Sequence, residues 1–299
     1  MSKHESTARA RELGAELRRI REKSGLTGYE LGRLLGWSAS KISRMESGKR
    51  GLPEVDVAIF LARCAAPRTE LDRILHLARE SDEAYRLQGH GERLPDELRS
   101  LIELETTADV IVDYEPGLVP GLLQTEPYIR ALLDWGRPER DAGFELRVRA
   151  RRARQRLVYR QWPPVLGFFV HEHALRASVG GPRVMFEQLL HLLAVAARPR
   201  CEIRVVQADA APVGLFGGSF RLMRFTGHRP VAYAQTHAAS VFLEEPEQIR
   251  VYRELLDQIA ETALNGEQSR EWLAMLASEY DRVEIPRDER AGSAGIGLA

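Results

Sequence analysis

The sequence contains little cysteine and no long apolar run. Only two of its 299 residues are cysteines, Cys64 and Cys201, and they lie far apart in the chain. Two distant cysteines cannot build the disulfide framework of a small secreted domain, and no apolar run approaches the roughly 20 residues that a membrane span needs. The N-terminus, MSKHESTARARE, lacks the apolar centre of a signal peptide. We therefore expect a reduced cytoplasmic protein with no membrane partner.

The chain also lacks net charge, because 43 basic residues balance 43 acidic ones. The balance is uneven along the sequence: residues 1–63 hold 13 Lys or Arg and 8 Asp or Glu. All four lysines of the chain lie in this segment, namely Lys3, Lys23, Lys41 and Lys49. Positive charge concentrated at one end indicates a segment that meets the phosphate backbone of a nucleic acid.

Residues with the spacing of a catalytic or metal site are scarce. His171, Glu172 and His173 form the one cluster with metal-binding character, but on a strand the two histidines share a face without a third ligand, and zinc needs at least three. No serine has the context of an activated nucleophile. We expect no enzyme, no cofactor and no metal; an enzyme fused to a DNA-binding domain remains a less favoured alternative.

The informative stretch runs from residue 13 to 51 and reads LGAELRRIREKSGLTGYELGRLLGWSASKISRMESGKRG. Leucine and isoleucine at helical spacing predict a first helix, which Gly25 ends. Thr27, with Glu30 three residues later, forms the capping box of a second helix, and Gly36 breaks it. Ser38 then caps a third helix, Ala39 to Ser47, whose buried face we predict to be Ala39, Ile42 and Met45.

The outward face of the third helix is polar and rich in hydrogen-bond donors. A major groove admits one helix, whose first turns reach the edges of the bases, and the positive end of the helix dipole lies near phosphate. A solvated helix in a plain three-helix core is the alternative, and the coincidence of turn, caps and donors argues against it. The predicted DNA-binding residues are Thr27, Tyr29, Ser38, Ser40, Lys41, Ser43, Arg44, Lys49 and Arg50.

Residues 13–50 resemble the helix-turn-helix of Cro/repressor-like (XRE) transcription factors. The resemblance implies a λ-repressor-like domain of five helices, with the helix from Ala39 as the recognition helix, and a nucleoid-associated regulator that binds a double-stranded DNA operator. One position departs from the pattern, because Gly28 stands where these proteins usually have a glutamine that contacts DNA. The phosphate clamp is therefore in doubt there, and Tyr29 is a partial substitute.

The rest of the chain predicts a second domain of a different class. Residues 1–80 form the helix-turn-helix domain, 81–95 a polar linker, 96–285 an α+β domain, and 286–299 a disordered tail. Alternating apolar patterns such as SFRLMRF predict a mostly antiparallel sheet with flanking helices. The basic helix from Glu145 to Arg160 is interpreted as a solvated, salt-bridged face in preference to a second nucleic-acid contact.

The second domain also resembles a known group. In this order, the runs VDYEPGLVPGLLQTEPYIRALL, HEHALR, VGGPRVMFEQLLHLL and FLEEPEQIRVYRELLDQI resemble the C-terminal domain of the WhiJ-like and antitoxin-like XRE-type regulators of actinobacteria. This resemblance implies a homodimer, often encoded beside a very small partner protein. The domain would dimerise and sense that protein or a ligand; an antitoxin-type repressor that neutralises its cognate protein is the alternative. A pocket for either is predicted at Tyr114, Pro116, Leu118, Leu122 and Tyr128, although apolar core is the simpler role for the aromatic residues.

Overall fold

The structure is a computed structural model, and it describes residues 7–48, 52–79, 85–89, 96–136, 143–209, 218–236 and 239–283. The chain forms two compact units, each assembled from two segments of sequence. The first unit contains Met1–Val112 and Phe220–Leu256, and the second contains Asp113–Ser219 and Asp257–Ala299. The predicted tail at 286–299 and most of the predicted linker lie outside the described residues.

The N-terminal part of the first unit, between residues 8 and 79, is an all-helical bundle, as predicted. Its five helices are α1 (Ala8–Lys23), α2 (Gly28–Leu35), α3 (Ala39–Glu46), α4 (Glu54–Arg63) and α5 (Arg68–Arg79). They enclose one hydrophobic core, whose buried members come from these helices and their connections; the largest include Leu13, Leu17, Leu31, Ile42, Phe60 and Ile74. A core made within residues 13–78 means that the bundle carries its own stabilising apolar burial.

The first unit also contains a set of strands. They are β1 (Tyr85–Gly89), β5 (Phe220–Phe225), β6 (His228–Gln235) and β7 (Ala239–Leu243), with α6 (Asp96–Thr107), the start of β2 (Val110–Glu115) and most of α11 (Pro246–Thr262). The strand order is β1-β7-β6-β5-β2, and the β1–β7, β7–β6 and β6–β5 pairs are antiparallel. Strand β1 falls within the segment that the sequence assigns to a linker.

The second unit combines a parallel strand pair with helices. Its elements are α7 (Glu126–Gly136), α8 (Phe144–Gln155), a 3₁₀ turn (Arg156–Tyr159), β3 (Val165–His171), α9 (Glu172–Arg176), α10 (Pro182–Ala196), β4 (Cys201–Val206) and α12 (Gly266–Val283). Helix α10 packs against α12, and both pack against β4. The second half of β2 belongs to this unit, where the order is β2-β3-β4.

The prediction of a mostly antiparallel sheet is wrong, because the sheet is mixed. Strands β3 and β4 run parallel, with Leu166 opposite Cys201 and His171 opposite Val206. Parallel neighbours need a crossover connection, and α9 and α10 occupy the chain between these two strands. The near-continuous apolar run of β3, VLGFFV, and the helix between the two strands were signals for a parallel pair that the prediction from alternating stretches did not use.

Within the described part of the chain, no helix is both long enough and apolar enough to cross a membrane.

Candidate nucleic-acid interface

The turn between α2 and α3 is built by two caps and one glycine. Thr27 Oγ1 accepts a hydrogen bond from the Glu30 backbone N–H at 3.2 Å, and Glu30 Oε2 accepts one from the Thr27 N–H at 2.8 Å. These bonds complete the predicted capping box, and the Thr27 backbone and hydroxyl donors lower the pKa of Glu30. Gly36 follows with φ +66°, a left-handed conformation that glycine adopts without a side-chain clash, and it turns the chain toward α3.

Helix α3 presents a polar face to solvent and an apolar face to the core. Ser38 caps it by accepting a hydrogen bond from the Lys41 N–H at 3.1 Å, while Ile42 and Met45 are buried. Ser40, Ser43 and Arg44 are exposed, and the Arg44 Nε donates to the Ser40 carbonyl at 3.1 Å. Ala39 is exposed, so its predicted place on the buried face is wrong: it lies in the first turn, before the helix meets the core.

Helix α1 holds the C-terminal end of α3 through a largely buried ion pair. Arg21 Nε lies 2.6 Å from Glu46 Oε1, and its Nη2 lies 3.0 Å from Glu46 Oε2. Arg21 Nη1 also donates to the Leu26 carbonyl at 2.7 Å. A forked contact of this kind fixes orientation as well as distance, so α3 is held in one position on α1.

Lys41 has partners within the helical bundle. Its Nζ lies 2.9 Å from Asp56 Oδ2 in the first turn of α4, and 3.6 Å from the centroid of the Trp37 ring. The Lys41 side chain is 33% exposed and that of Asp56 is 27% exposed. The lysine expected to point freely to DNA is therefore tethered at the edge of the candidate interface.

The remaining predicted DNA-binding residues are accessible where the structure describes them. Thr27 and Ser38 are exposed at the N-terminal ends of α2 and α3, and Tyr29 is 73% exposed. Lys49 and Arg50 lie outside the described residues. The described members thus cluster on α2, α3 and the turn that joins them, and their contact with DNA stays a prediction.

Contacts from the strands reach the first turn of α1. The Ala8 N–H donates to both carboxylate oxygens of Glu244, at 2.7 and 2.8 Å, and the Arg11 guanidinium lies 4.5 Å from the centroid of the Phe225 ring. The Ser100 hydroxyl donates to Glu12 at 2.8 Å. Each of these contacts joins residues more than 80 positions apart, so no local pattern in the sequence pointed to them.

The residues predicted to line a pocket lie mainly in the interior of the second unit. Tyr114, Leu122 and Tyr128 are at most 1% exposed, and Pro116 and Leu118 are half-buried. The Tyr128 hydroxyl accepts a hydrogen bond from the Val119 N–H at 3.2 Å, and burial raises the pKa of Tyr128. The three buried side chains contribute to the core, the simpler role considered for the aromatic residues; the pocket itself stays a prediction.

The cluster around His171 differs from the expected strand arrangement. His171 ends β3 and its Nδ1 accepts a hydrogen bond from the His173 N–H at 3.2 Å, whereas His173 lies within the short helix α9. Glu172 pairs with Arg176 Nε at 2.6 Å. No group of three or more His, Cys, Asp or Glu residues with the geometry of a metal site occurs in the parts of the chain described.

Sequence reasoning missed Trp37, Asp56 and Glu244. Trp37 stands one residue before the cap of α3, which is a signal that could have been used. Asp56 and Glu244 have no such signal, because they reach α3 and α1 only through the packing of separate elements. These residues were found only from the tertiary contacts.

Comparison with known families finds two matches, one over the helical bundle and one over most of the chain that follows it. Residues 12–74 match a helix-turn-helix domain, so the bundle indicates a DNA-binding regulator and supports the predicted XRE-like type. Residues 98–275, more than half of the chain, match "Domain of unknown function (DUF5753)", and the protein belongs to that family. Comparison with the curated proteins finds none that matches the chain.

Proposed function

We propose that the protein is a sequence-specific transcriptional regulator of the XRE type that places α3 in the major groove of an operator. The observation that carries this proposal is the division of α3 into a buried apolar face and an exposed face with Ser40, Ser43 and Arg44. Serine and arginine donors on one helix face match the acceptors that base edges present in the major groove. The regulator acts by binding, without catalysis, in the cytoplasm at the nucleoid.

The proposal is tested by replacing Arg44 and measuring binding to DNA. The full chain first selects its preferred duplex from a random pool, and fluorescence anisotropy then measures affinity for that duplex. Arg44→Ala should weaken binding by about 1–3 kcal/mol, the usual contribution of a base contact. Arg68→Ala, which removes an exposed arginine from α5, should change it little. Equal affinities of the Arg44 and Arg68 variants would reject the recognition face.

We further propose that the DUF5753 domain controls the helix-turn-helix through α1. Supporting this, Glu244, at the end of β7, receives the first N–H of α1, and Arg21, near the other end of α1, holds Glu46 of α3. A shift of the strands that moved Glu244 would therefore act on the helix that positions α3. This is a continuous set of packed contacts with named residues at each step.

The proposed input is a small partner protein or a ligand, and the proposed assembly is a homodimer. Two copies allow two recognition helices to read half-sites about one helical turn apart, which one domain cannot do.

Trp135 and Trp162 of the second unit are 82% and 81% exposed, and such rings are frequent at the centres of protein interfaces. Purification of the full chain from its own cells, followed by mass spectrometry of co-purified small proteins, tests the partner.

A further inference from the structure

The recognition helix carries one cation that is paired with an acid from another helix. Lys41 is the third residue of α3, and Asp56 is the third residue of α4. The Nζ to Oδ2 distance of 2.9 Å is that of a close ion pair. The position of Asp56 is favourable in itself, because the N-terminal turn of a helix stabilises a carboxylate.

Trp37 holds the same ammonium group from a second side. The Nζ atom lies 3.6 Å from the ring centroid, well inside the range of a cation–π contact. Trp37 is itself half-buried and packs against the bundle core, and its backbone N–H donates to the Gly32 carbonyl at 2.8 Å. Because the ring packs against the core, it rotates less freely than a surface side chain.

These two contacts limit both the position and the free charge of the Lys41 ammonium group at the DNA-binding surface. An ammonium group has three N–H donors, and a free lysine points them at the nearest phosphate as a mobile point charge. With the ammonium group paired with Asp56 and held against the Trp37 ring, its position at the first turn of α3 is restricted. The charge of Lys41 is also offset by Asp56, which reduces attraction to phosphate of any sequence.

We propose that Asp56 is a specificity-determining residue that, with Trp37, positions Lys41 to read a base edge and keeps it from binding phosphate indiscriminately. The inference rests on the proposed function, since it assigns a role within the same interface. The recognised chemistry is an acceptor in the major groove beside the N-terminal turn of α3, such as the O6 and N7 atoms of guanine. Asp56 acts through Lys41 and is a positioning residue.

The test compares the full chain with its Asp56→Asn variant on two duplexes. One is the duplex that the wild-type protein selects from a random pool, and the other is an unrelated duplex of equal length. Asparagine keeps the shape of the side chain and removes the charge, which releases Lys41 to the phosphates. Affinity for the unrelated duplex should rise about 3- to 10-fold at 0.1 M salt, and the salt dependence should steepen by about one counterion.

Affinity for the selected duplex should change less than affinity for the unrelated one, so that the ratio of the two falls. Asp72→Asn is the matched control, because it makes the same charge change at an exposed position of α5; its ratio should equal that of the wild type. Asp56→Glu keeps the carboxylate and should retain most of the ratio. Thermal unfolding of each variant verifies that the fold is intact.

A second variant, Lys41→Met, distinguishes positioning of Lys41 by Asp56 from direct repulsion of phosphate by the Asp56 carboxylate. In Lys41→Met, the Asp56→Asn change should no longer raise affinity for unrelated DNA. A rise of the same size in that background would overturn the inference, as would an unchanged ratio and salt dependence in Asp56→Asn alone. If the wild-type protein selects no duplex at all, the proposed function fails; if it selects one and Asp56→Asn behaves as wild type, only the inference fails.

Discussion

At the scale of single residues, the interface depends on close packing beneath the exposed donors. Gly14 of α1 faces the end of α3, where a Cβ atom would lie 2.6 Å from the Glu46 carbonyl oxygen and 2.7 Å from that of Met45. Carbon and oxygen atoms do not approach so closely without displacement of backbone. The absence of a side chain at Gly14 is therefore what lets α1 and α3 meet, and it adds to the Arg21–Glu46 ion pair.

Gly14→Ala should destabilise the bundle, and Gly28→Ala should not. The Gly14 change forces α1 and α3 apart, with an expected loss of about 1–3 kcal/mol in the free energy of unfolding, the usual range for overpacking. At Gly28 a Cβ would lie 3.5 Å from Ile42 Cγ2, an ordinary contact, so alanine should be neutral or stabilise by up to about 1 kcal/mol. Chemical denaturation measures both variants, and equal midpoints would contradict the packing argument.

At the scale of secondary-structure elements, helix α1 makes a different long-range contact at each of its two ends. Its first turn contains no acidic residue, so Glu244 supplies the negative charge that the N-terminal end of a helix favours. Its last turns carry Arg21, which holds α3. One helix thus receives a contact from the strands at one end and positions the recognition helix at the other.

Glu244→Ala should change both the stability of α1 and the affinity for DNA. Loss of the carboxylate leaves the buried Ala8 N–H without this acceptor, a cost of about 1–3 kcal/mol for a buried donor. Hydrogen exchange should show faster exchange in the first turns of α1, and anisotropy should show altered binding to the selected duplex. Glu261→Ala, an exposed position of α11, is the control. Protection and affinity equal to the control would argue against coupling through α1.

At the scale of the whole molecule, the helical bundle has its own hydrophobic core. Among the described residues, the buried members of the bundle core all lie between 13 and 78, so we expect the helix-turn-helix to keep that core when it is cut from the rest. A cut at residue 80 would remove, among other contacts, those of Glu244 with Ala8, of Phe225 with Arg11 and of Ser100 with Glu12. The full chain and the fragment should therefore differ in regulation and assembly more than in the fold of the bundle.

Sedimentation equilibrium should find the full chain as a dimer and residues 1–80 as a monomer. The reason is that we assign pairing of subunits to the domain after residue 80, while the fragment keeps only the DNA-binding surface. The fragment should bind a single half-site weakly, and the full chain should bind a paired site with two copies per duplex. A dimeric fragment would move the pairing surface into the bundle.

The fold could be predicted from the sequence where local signals suffice. The Thr27–Glu30 box, the Gly36 turn and the Ser38 cap mark helix ends within a few residues, and all three have the predicted geometry. The parallel pairing of β3 and β4 was not predicted, because the prediction rested on alternating strands elsewhere and not on the apolar run VLGFFV and the helix that follows it. In the candidate site, the caps and the polar face of α3 likewise follow from the local sequence, whereas the contact of Lys41 with Asp56 depends on how separate helices pack.

The sequence by itself determined which face of α3 is polar, since helical spacing sorts Ser40, Ser43 and Arg44 away from Ile42 and Met45. Only the tertiary structure decided that Lys41 is tethered by Asp56 and that Glu244 receives the start of α1. The physical reason is the range of the interactions: caps and helical periodicity act over a few residues, whereas an ion pair depends on where the packing of whole elements brings its two charges.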